Sequence, residues 1–418
     1  MAEKPYRWAE GATLEEHSRR KHKILAEYFN EYLAVRCQRP QQSKIRLAIV
    51  DGFAGGGRYE CGSAGSPLIF IQELARASAS INARRAAKNF DPVQIECLLI
   101  FNDFSEDAIE LLKANVAPAL LEAINGNSLI HLRVEYMSQA FETAYPAIKR
   151  MLAQGRYGNV IFNLDQCGHS RVDRDTLIDM MRSHPSAEIF YTFAIKALLA
   201  FLHKHDPVKL GRQLQPFGIA NDELDVLSGG ISTDRWLGAA ERLVFDTFMT
   251  CAPFVSPFSI HNPDGWRYWL IHFANSYRAR QVYNNVLHRN STSQAHYGRS
   301  GLDMLTYDPS HEGGSLYLFD AEGREQARTA LMSDIPRLIS GTGDAVEVRD
   351  FYEGIYNATP SHMDDIHSAI IINPDIQVIT PAGGERRTAH SIKPTDVLKL
   401  KTQKSFYFPM FFDAINRP

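Results

Sequence analysis

Hydrophobic and polar positions along the first 290 residues alternate between two grammars. Ile45, Leu47, Ile49 and Val50 form a short, nearly continuous apolar run, as a strand covered on both faces of a parallel sheet requires. Comparable runs follow at Ile95 to Phe101, Leu129 to Val134, Val160 to Leu164 and Glu188 to Ile195. Between them lie segments with helical spacing: Ser66 to about Arg76, Ser105 to Leu121, Ser138 to Leu152 and Asp173 to Ser183. Ser66 is expected to cap the first of these, with Pro67 behind it, and the polar stretch Ala77 to Asp91 reads as an exposed loop. Before the first strand, His17 to Val35 places Ile24, Leu25, Tyr28, Phe29, Tyr32 and Leu33 on one face of an amphipathic helix. Strand and helix in alternation predict βαβ units and a doubly wound α/β sheet with helices on both faces.

After residue 205 the pattern changes. His205 to Arg235 is polar and reads as an insertion, followed by a helix over Thr233 to Met249. Phe254 to His261 and Trp266 to Ala274 flank Asn262-Pro263-Asp264-Gly265, and Asp-Gly between two apolar runs predicts a β-hairpin. Tyr277 to His288 closes this unit as a helix, and 291–315 reads as a polar linker. Gln326 to Leu338, Val346 to Tyr356 and His362 to Ile372 are expected helices. Ile376 to Thr380 and His390 to Leu400 are expected strands joined across Gly383-Gly384. That order predicts a winged helix-turn-helix over 316–418, after an N-terminal helical segment (1–43) and the sheet unit (44–290).

The chemistry gathers at strand ends, where ligands of doubly wound sheets bind. Asp51 ends the first strand and opens Asp51-Gly52-Phe53-Ala54-Gly55-Gly56-Gly57, a turn in which residues without Cβ bring the backbone close to a ligand. A dinucleotide fingerprint would show G-x-G-x-x-G opening the helix at once, with no Asp-x-Phe before it. Asp103, Glu135 and Asp165 end three further strands. Asn163-Leu164-Asp165-Gln166-Cys167-Gly168-His169 is the segment expected to carry catalysis. The segment resembles in position motif IV of class I amino-methyltransferases, which implies that Asp165 and the Gln166 carbonyl face an acceptor; His169 would be a base or a neighbour of the next helix cap. Cys167 lacks the preceding proline that presents a methyltransferase nucleophile and reads as a structural thiol.

Composition narrows the class. The 418 residues carry a formal net charge of −3, which gives no global nucleic-acid footprint. Five cysteines with no CxxC pair exclude a zinc or disulfide framework, and no metal site is expected. No apolar run is long enough for a membrane span and MAEKPYRWAEG has no apolar signal core, so a cytoplasmic protein without a membrane partner is expected. A basic cluster does occur late in the chain. Arg386, Arg387, Lys399 and Lys401 crowd the expected wing and are candidate DNA-phosphate contacts, while Asp364-Asp365 at the start of the third helix would oppose DNA.

The glycine turn resembles motif I of class I S-adenosylmethionine-dependent methyltransferases. The resemblance implies S-adenosyl-L-methionine as cofactor, wrapped by Asp51, Gly52, Phe53, Gly55, Gly57 and Tyr59, with Asp103 on the ribose hydroxyls and Glu135 or Tyr136 near the adenine. Asp165 belongs to both the cofactor and the catalytic set. Over the whole chain the sequence resembles the three-Cys-motif partner proteins. The likeness rests on His17, Lys21-His22, Ile24-Leu25 and Tyr28, Asp51 to Gly55 with Tyr59, Gly65-Ser66-Pro67, Asp165 with Gly168, and Tyr268 to Ala274. It implies a methyltransferase-like fold with a C-terminal winged helix and a radical-enzyme-like partner carrying a three-cysteine motif. Gln166-Cys167 stand where that family tends to show Pro-Phe. Two functions are therefore expected from the sequence: a methyltransferase acting on nucleic acid or a partner-bound substrate, or an inactive fold that docks its partner onto DNA.

Overall fold

The computed structural model describes residues 8–125, 127–166, 168, 171–219, 224, 227, 233–261, 267–290, 294–297, 302, 316–317 and 321–401. Helix α1 (Glu16–Arg36) precedes strand β1 (Lys44–Asp51). Then follow α2 (Ser66–Ala86), β2 (Gln94–Asp103), α3 (Glu106–Ile124), β3 (Ile130–Ser138), α4 (Phe141–Gln154), β4 (Asn159–Leu164), α5 (Arg174–Ser183) and β5 (Ser186–Phe193). The second part of this unit comprises α6 (Ile195–Phe201), α7 (Pro207–Leu214), α8 (Thr233–Met249), β6 (Phe254–His261), β7 (Arg267–Ala274) and α9 (Tyr277–Arg289).

Among the described residues one sheet runs β3-β2-β1-β4-β5-β7-β6 and continues into β8 (Gln294–Tyr297) and β9 (Leu316–Tyr317). The first five strands in this order are parallel, and β7 runs antiparallel between β5 and β6. The result is a mostly parallel, Rossmann-like sheet with helices on both faces. Side-chain alternation sorts the strands between two cores. Leu47, Ile49, Cys97 and Leu99 pack with α1, α2, α3 and α9, whereas Ala48, Val50, Leu98 and Ile100 pack with α4, α5 and α8. Because the strands run parallel, the glycine turn, Asp51, Asp103 and Asp165 come together at the carboxyl ends of β1, β2 and β4.

Several expectations change. Helix α2 runs on to Ala86, through most of the stretch expected as a loop, because Ala77, Ser78, Ile81 and Arg85 turn inward. Its N-cap is Gly65 rather than Ser66. The insertion contains α7, capped by Asp206, whose carboxylate accepts from Lys209 N–H at 3.1 Å. Strand β8 lies within the expected linker and pairs with β6, so the sheet continues past residue 290. The turn 262–265 of the expected hairpin lies outside the described residues, although β6 and β7 pair as foreseen.

The C-terminal unit comprises α10 (Ala321–Gly341), β10 (Ala345–Glu347), α11 (Val348–Ile355), α12 (Met363–Ile372), β11 (Ile376–Ile379) and β12 (Val397–Leu400). Its strands form a small antiparallel sheet in the order β10-β12-β11. Its core, around Leu331, Phe351, Ile366 and Leu398, also takes in Phe254, Ala274 and Ala279 of the large unit. Polar contacts tie the seam. Asn284 donates to Thr359 O at 3.0 Å, Arg280 Nε to Tyr356 O at 2.9 Å, and Asn357 Oδ1 accepts from Val255 N–H at 2.8 Å. Among the described residues no helix is long and apolar enough to cross a membrane.

Candidate functional site

The carboxyl ends of β1, β2 and β4 are laced together by their own backbone. Gly52 N–H donates to Asn163 O and Ala54 N–H to Asn102 O, both at 2.9 Å, so the turn after β1 is fixed against both neighbours. Asp103 braces it further: Oδ2 accepts from Gly55 N–H and Oδ1 from Ser105 N–H, each at 2.9 Å. Each carboxylate oxygen keeps a second lone pair.

Beside this turn lies a cavity of about 720 Å³. Phe53, Tyr59, Asp103, Asp165 and Gln166 line it, as the sequence predicts for a common site. Gly52, Gly55 and Gly57 shape the turn without lining the cavity. A Cβ on Gly52 would lie 2.6 Å from Phe141, one on Gly57 2.6 Å from Leu112, and one on Gly55 inside the Trp8 indole. Their smallness serves packing from the protein's own side chains. Asp51 sits behind the wall, fully buried. Burial pushes its pKa up to about 7, against the opposing pull of Ser66 and Asn163, neither of which makes a hydrogen bond of good geometry to its oxygens.

Glu135 is a correction. It lies on β3 away from the cavity, where both Nε and Nη2 of Arg133 donate to its Oε1 at 2.9 and 2.7 Å. The same strand sends Tyr136 to the opposite face, where it meets Phe101 at 6.1 Å between ring centroids, also outside the cavity wall. Gln166 is buried, and its amide is engaged: Nε2 donates to the Tyr191 hydroxyl at 2.6 Å while Oε1 accepts from Arg171 N–H at 2.9 Å. It therefore braces the loop after β4, with one carbonyl lone pair left over. Cys167 and His169 lie outside the described residues.

Helix α1 supplies a wall that reading the strands alone did not assign. His17, Ser18, Lys21 and His22 all line the cavity, and Lys21 Nζ meets Asp165 Oδ1 at 2.5 Å. Burial by itself would raise the Asp165 carboxyl, but the Lys21 ammonium and a hydrogen bond from Thr192 hold it below the ordinary carboxylate range. Burial and the Lys21 charge lower His17 to about 4, and burial lowers His22 to about 4, so both rings are neutral at neutral pH. His17 stacks on Tyr268 at 4.4 Å between centroids. Trp8 packs over the glycine turn against Tyr59, and Phe104, 75% exposed, stands at the rim. Among these lining groups Glu10, Glu15, Asp103, Asp107 and Asp165 face only Lys21 and Arg171, so the cavity is acidic.

The basic cluster at the far end is differently arranged from the expectation. Arg386 forms a bidentate pair with Asp396, Nε to Oδ2 at 3.0 Å and Nη2 to Oδ1 at 3.2 Å. Lys401 donates to Pro374 O at 3.0 Å, while Arg387 and Lys399 are exposed. Helix α12, the third helix of the expected winged helix-turn-helix, is packed inward through Asp365, Ile366, His367, Ala369 and Ile370. Asp365 is not a free negative charge, since Arg324 and Arg328 hold it at 2.6 and 2.8 Å.

No known family and no curated protein matches this chain.

Proposed function

We propose that this chain is an S-adenosylmethionine-binding, class I methyltransferase-like protein whose C-terminal unit is a winged helix, and that it works with a three-Cys-motif, radical-enzyme-like partner. The observation that carries the reading is Asp103. It stands at the end of β2, orders the glycine turn through Gly55 N–H, and still presents acceptor lone pairs to the cavity where a ribose diol would lie. The antiparallel β6–β7 pair at the end of a parallel sheet agrees with it. So does the excess of carboxylates around a cavity of about 720 Å³, because the cofactor carries a sulfonium and an ammonium against one carboxylate. When bound, the cofactor would supply an electrophilic methyl group on its sulfonium, with a neutral thioether as the leaving group. In this site Asp165, kept ionised by Lys21, is the acceptor for the proton or hydrogen bond of the attacking group.

The same acidity turns away a phosphate backbone. We therefore favour an acceptor that is small or presented by the partner over nucleic acid. The reading of an inactive docking module draws support from Gln166, whose amide is committed to Tyr191 and Arg171.

Calorimetry with the full chain tests the base of the proposal. S-adenosylmethionine and S-adenosylhomocysteine should bind, and Asp103→Ala should weaken both by at least about tenfold. Absence of binding to either overturns the reading. Tritiated-methyl transfer with and without the co-expressed partner separates enzyme from docking module, with labelled product excluding the inactive alternative.

A further inference from the structure

A second cavity, of about 680 Å³, lies at the opposite, amino-terminal end of the strands, between the end of α1, the 38–42 loop, β5 and the start of α9. Its charge is the reverse of the first. Arg36, Arg39 and Arg278 line it against one acid, Glu188; Arg36 Nη1 also donates to the Ser186 hydroxyl at 3.4 Å and Arg278 Nη1 to Gln281 Oε1, so these two offer a ligand their remaining N–H groups. That acid is already engaged by the Tyr28 hydroxyl at 2.5 Å and by His272 Nε2 at 3.3 Å, while an Arg36 nitrogen stands 3.8 Å away. Gln38, Gln41 and Gln42 add amide side chains to the wall.

The loop that presents Arg39 and these glutamines is held rigid from behind. Arg85, buried in α2, donates to the carbonyls of Cys37 at 3.0 Å and of Arg39, Pro40 and Gln42 at 2.9 Å each. A further bond from its Nε to Asp91 O, at 2.6 Å, anchors the guanidinium itself. A wall fixed in this way spends little conformational entropy when it binds. The positive end of α9 adds to the field: Ser276, its N-cap, also lines the cavity.

We infer that this second cavity binds a phosphate monoester with a polar body of nucleotide size, the phosphate toward Arg36, Arg39 and Arg278 and the body toward the glutamine amides. The planar N–H fork of a guanidinium matches two oxygens of a tetrahedral phosphate, amide groups read hydrogen-bonding edges, and the volume suits a ligand of that size. The inference does not depend on what the first cavity holds.

Titration calorimetry on the full chain tests it with adenosine 5′-monophosphate (AMP), inorganic phosphate and adenosine as probes. With S-adenosylhomocysteine at saturation throughout, AMP and phosphate should bind, more weakly as salt rises, and adenosine should not. Saturating S-adenosylhomocysteine should leave AMP binding in place. The double change Arg39→Gln, Arg278→Gln should weaken AMP by at least about tenfold and leave S-adenosylhomocysteine titrations as they were. The inference is overturned if AMP and phosphate give no binding up to about 5 mM, if adenosine binds as well as AMP, or if S-adenosylhomocysteine displaces AMP. The probe comparison needs only the unaltered protein, so a variant that folds poorly does not spoil the test.

Discussion

Lys21 Nζ lies 2.5 Å from Asp165 Oδ1, joining the first helix to the end of β4 across 144 residues of sequence. The lysine is 8% and the aspartate 26% exposed at the side chain, so the pair is shielded from solvent on one side only. Lys21→Met should leave the carboxylate unmatched and lower stability by about 1–3 kcal/mol, below the range for a fully buried pair. Lys21→Met with Asp165→Asn should recover most of the loss. Urea unfolding of wild type, Lys21→Met, Asp165→Asn and the double variant checks this, and additive losses would refute the coupling. Since the Asp165 pKa is depressed in the fold, the pair's contribution is present above the unfolded carboxylate pKa near 4 and is lost as pH falls through the folded value.

Asp51 titrates in the opposite sense. Burial raises its pKa to about 7, so the folded protein holds a proton that the unfolded chain gives up near pH 4. Stability carried by this group therefore falls as pH rises from about 4 to about 7 and stays low above that. Asp51→Asn should match the wild type near pH 4 and exceed it at pH 8, by an amount on the order of 2–4 kcal/mol. Thermal melts across that range check it. A wild type as stable as the variant at pH 8 would contradict a buried, unpaired carboxylate.

Gly55 has φ +59°, and a Cβ there would fall 2.2 Å from the Trp8 ring. Gly55→Ala should expel the indole and strain the turn, costing about 1–3 kcal/mol and shifting tryptophan emission to the red. Trp8→Ala in the same chain should remove the clash but not the strain, recovering part of the stability. Unchanged emission from Gly55→Ala would mean that Trp8 does not cover the turn in solution.

The alternation of apolar runs made β1 to β5 legible, because strands buried on both faces leave almost no polar positions. The second half of α2 was hidden since its buried side includes Ser78 and Arg85, and Arg85 works through five backbone carbonyls that no periodicity announces. Asp103 and Asp165 at their strand ends both line the cavity, but position along a strand does not say which face a side chain takes. Glu135 points with Arg133, two residues back on the same strand, and so leaves the cavity. Lys21, His17 and His22 were visible as a motif, yet their place in the cavity wall depends on a contact with Asp165 that only the folded chain creates.

Arg386 gives the sharpest disagreement between pattern and structure. The basic run suggested phosphate contacts from Arg386 and Arg387 alike, which would make the double alanine change flatten the salt dependence of duplex binding by about two charges. Arg386 instead spans both oxygens of Asp396, which is fully buried and also accepts from Lys393 N–H at 2.7 Å. Arg386→Ala leaves that carboxylate short of its cation and should destabilise the C-terminal unit by about 2–4 kcal/mol, whereas Arg387→Ala, at an exposed position, should do almost nothing. With α12 packed inward and one arginine committed, the cations of this cluster left for phosphate among the described residues are Arg387, Lys393, Lys399 and Lys401. The double change should then reduce the salt slope by about one charge at most. Gel shifts over a salt series, run beside urea melts of the same full-length variants, separate the outcomes. A slope change of about two with an unaltered melt would place Arg386 on phosphate and break its assignment to Asp396.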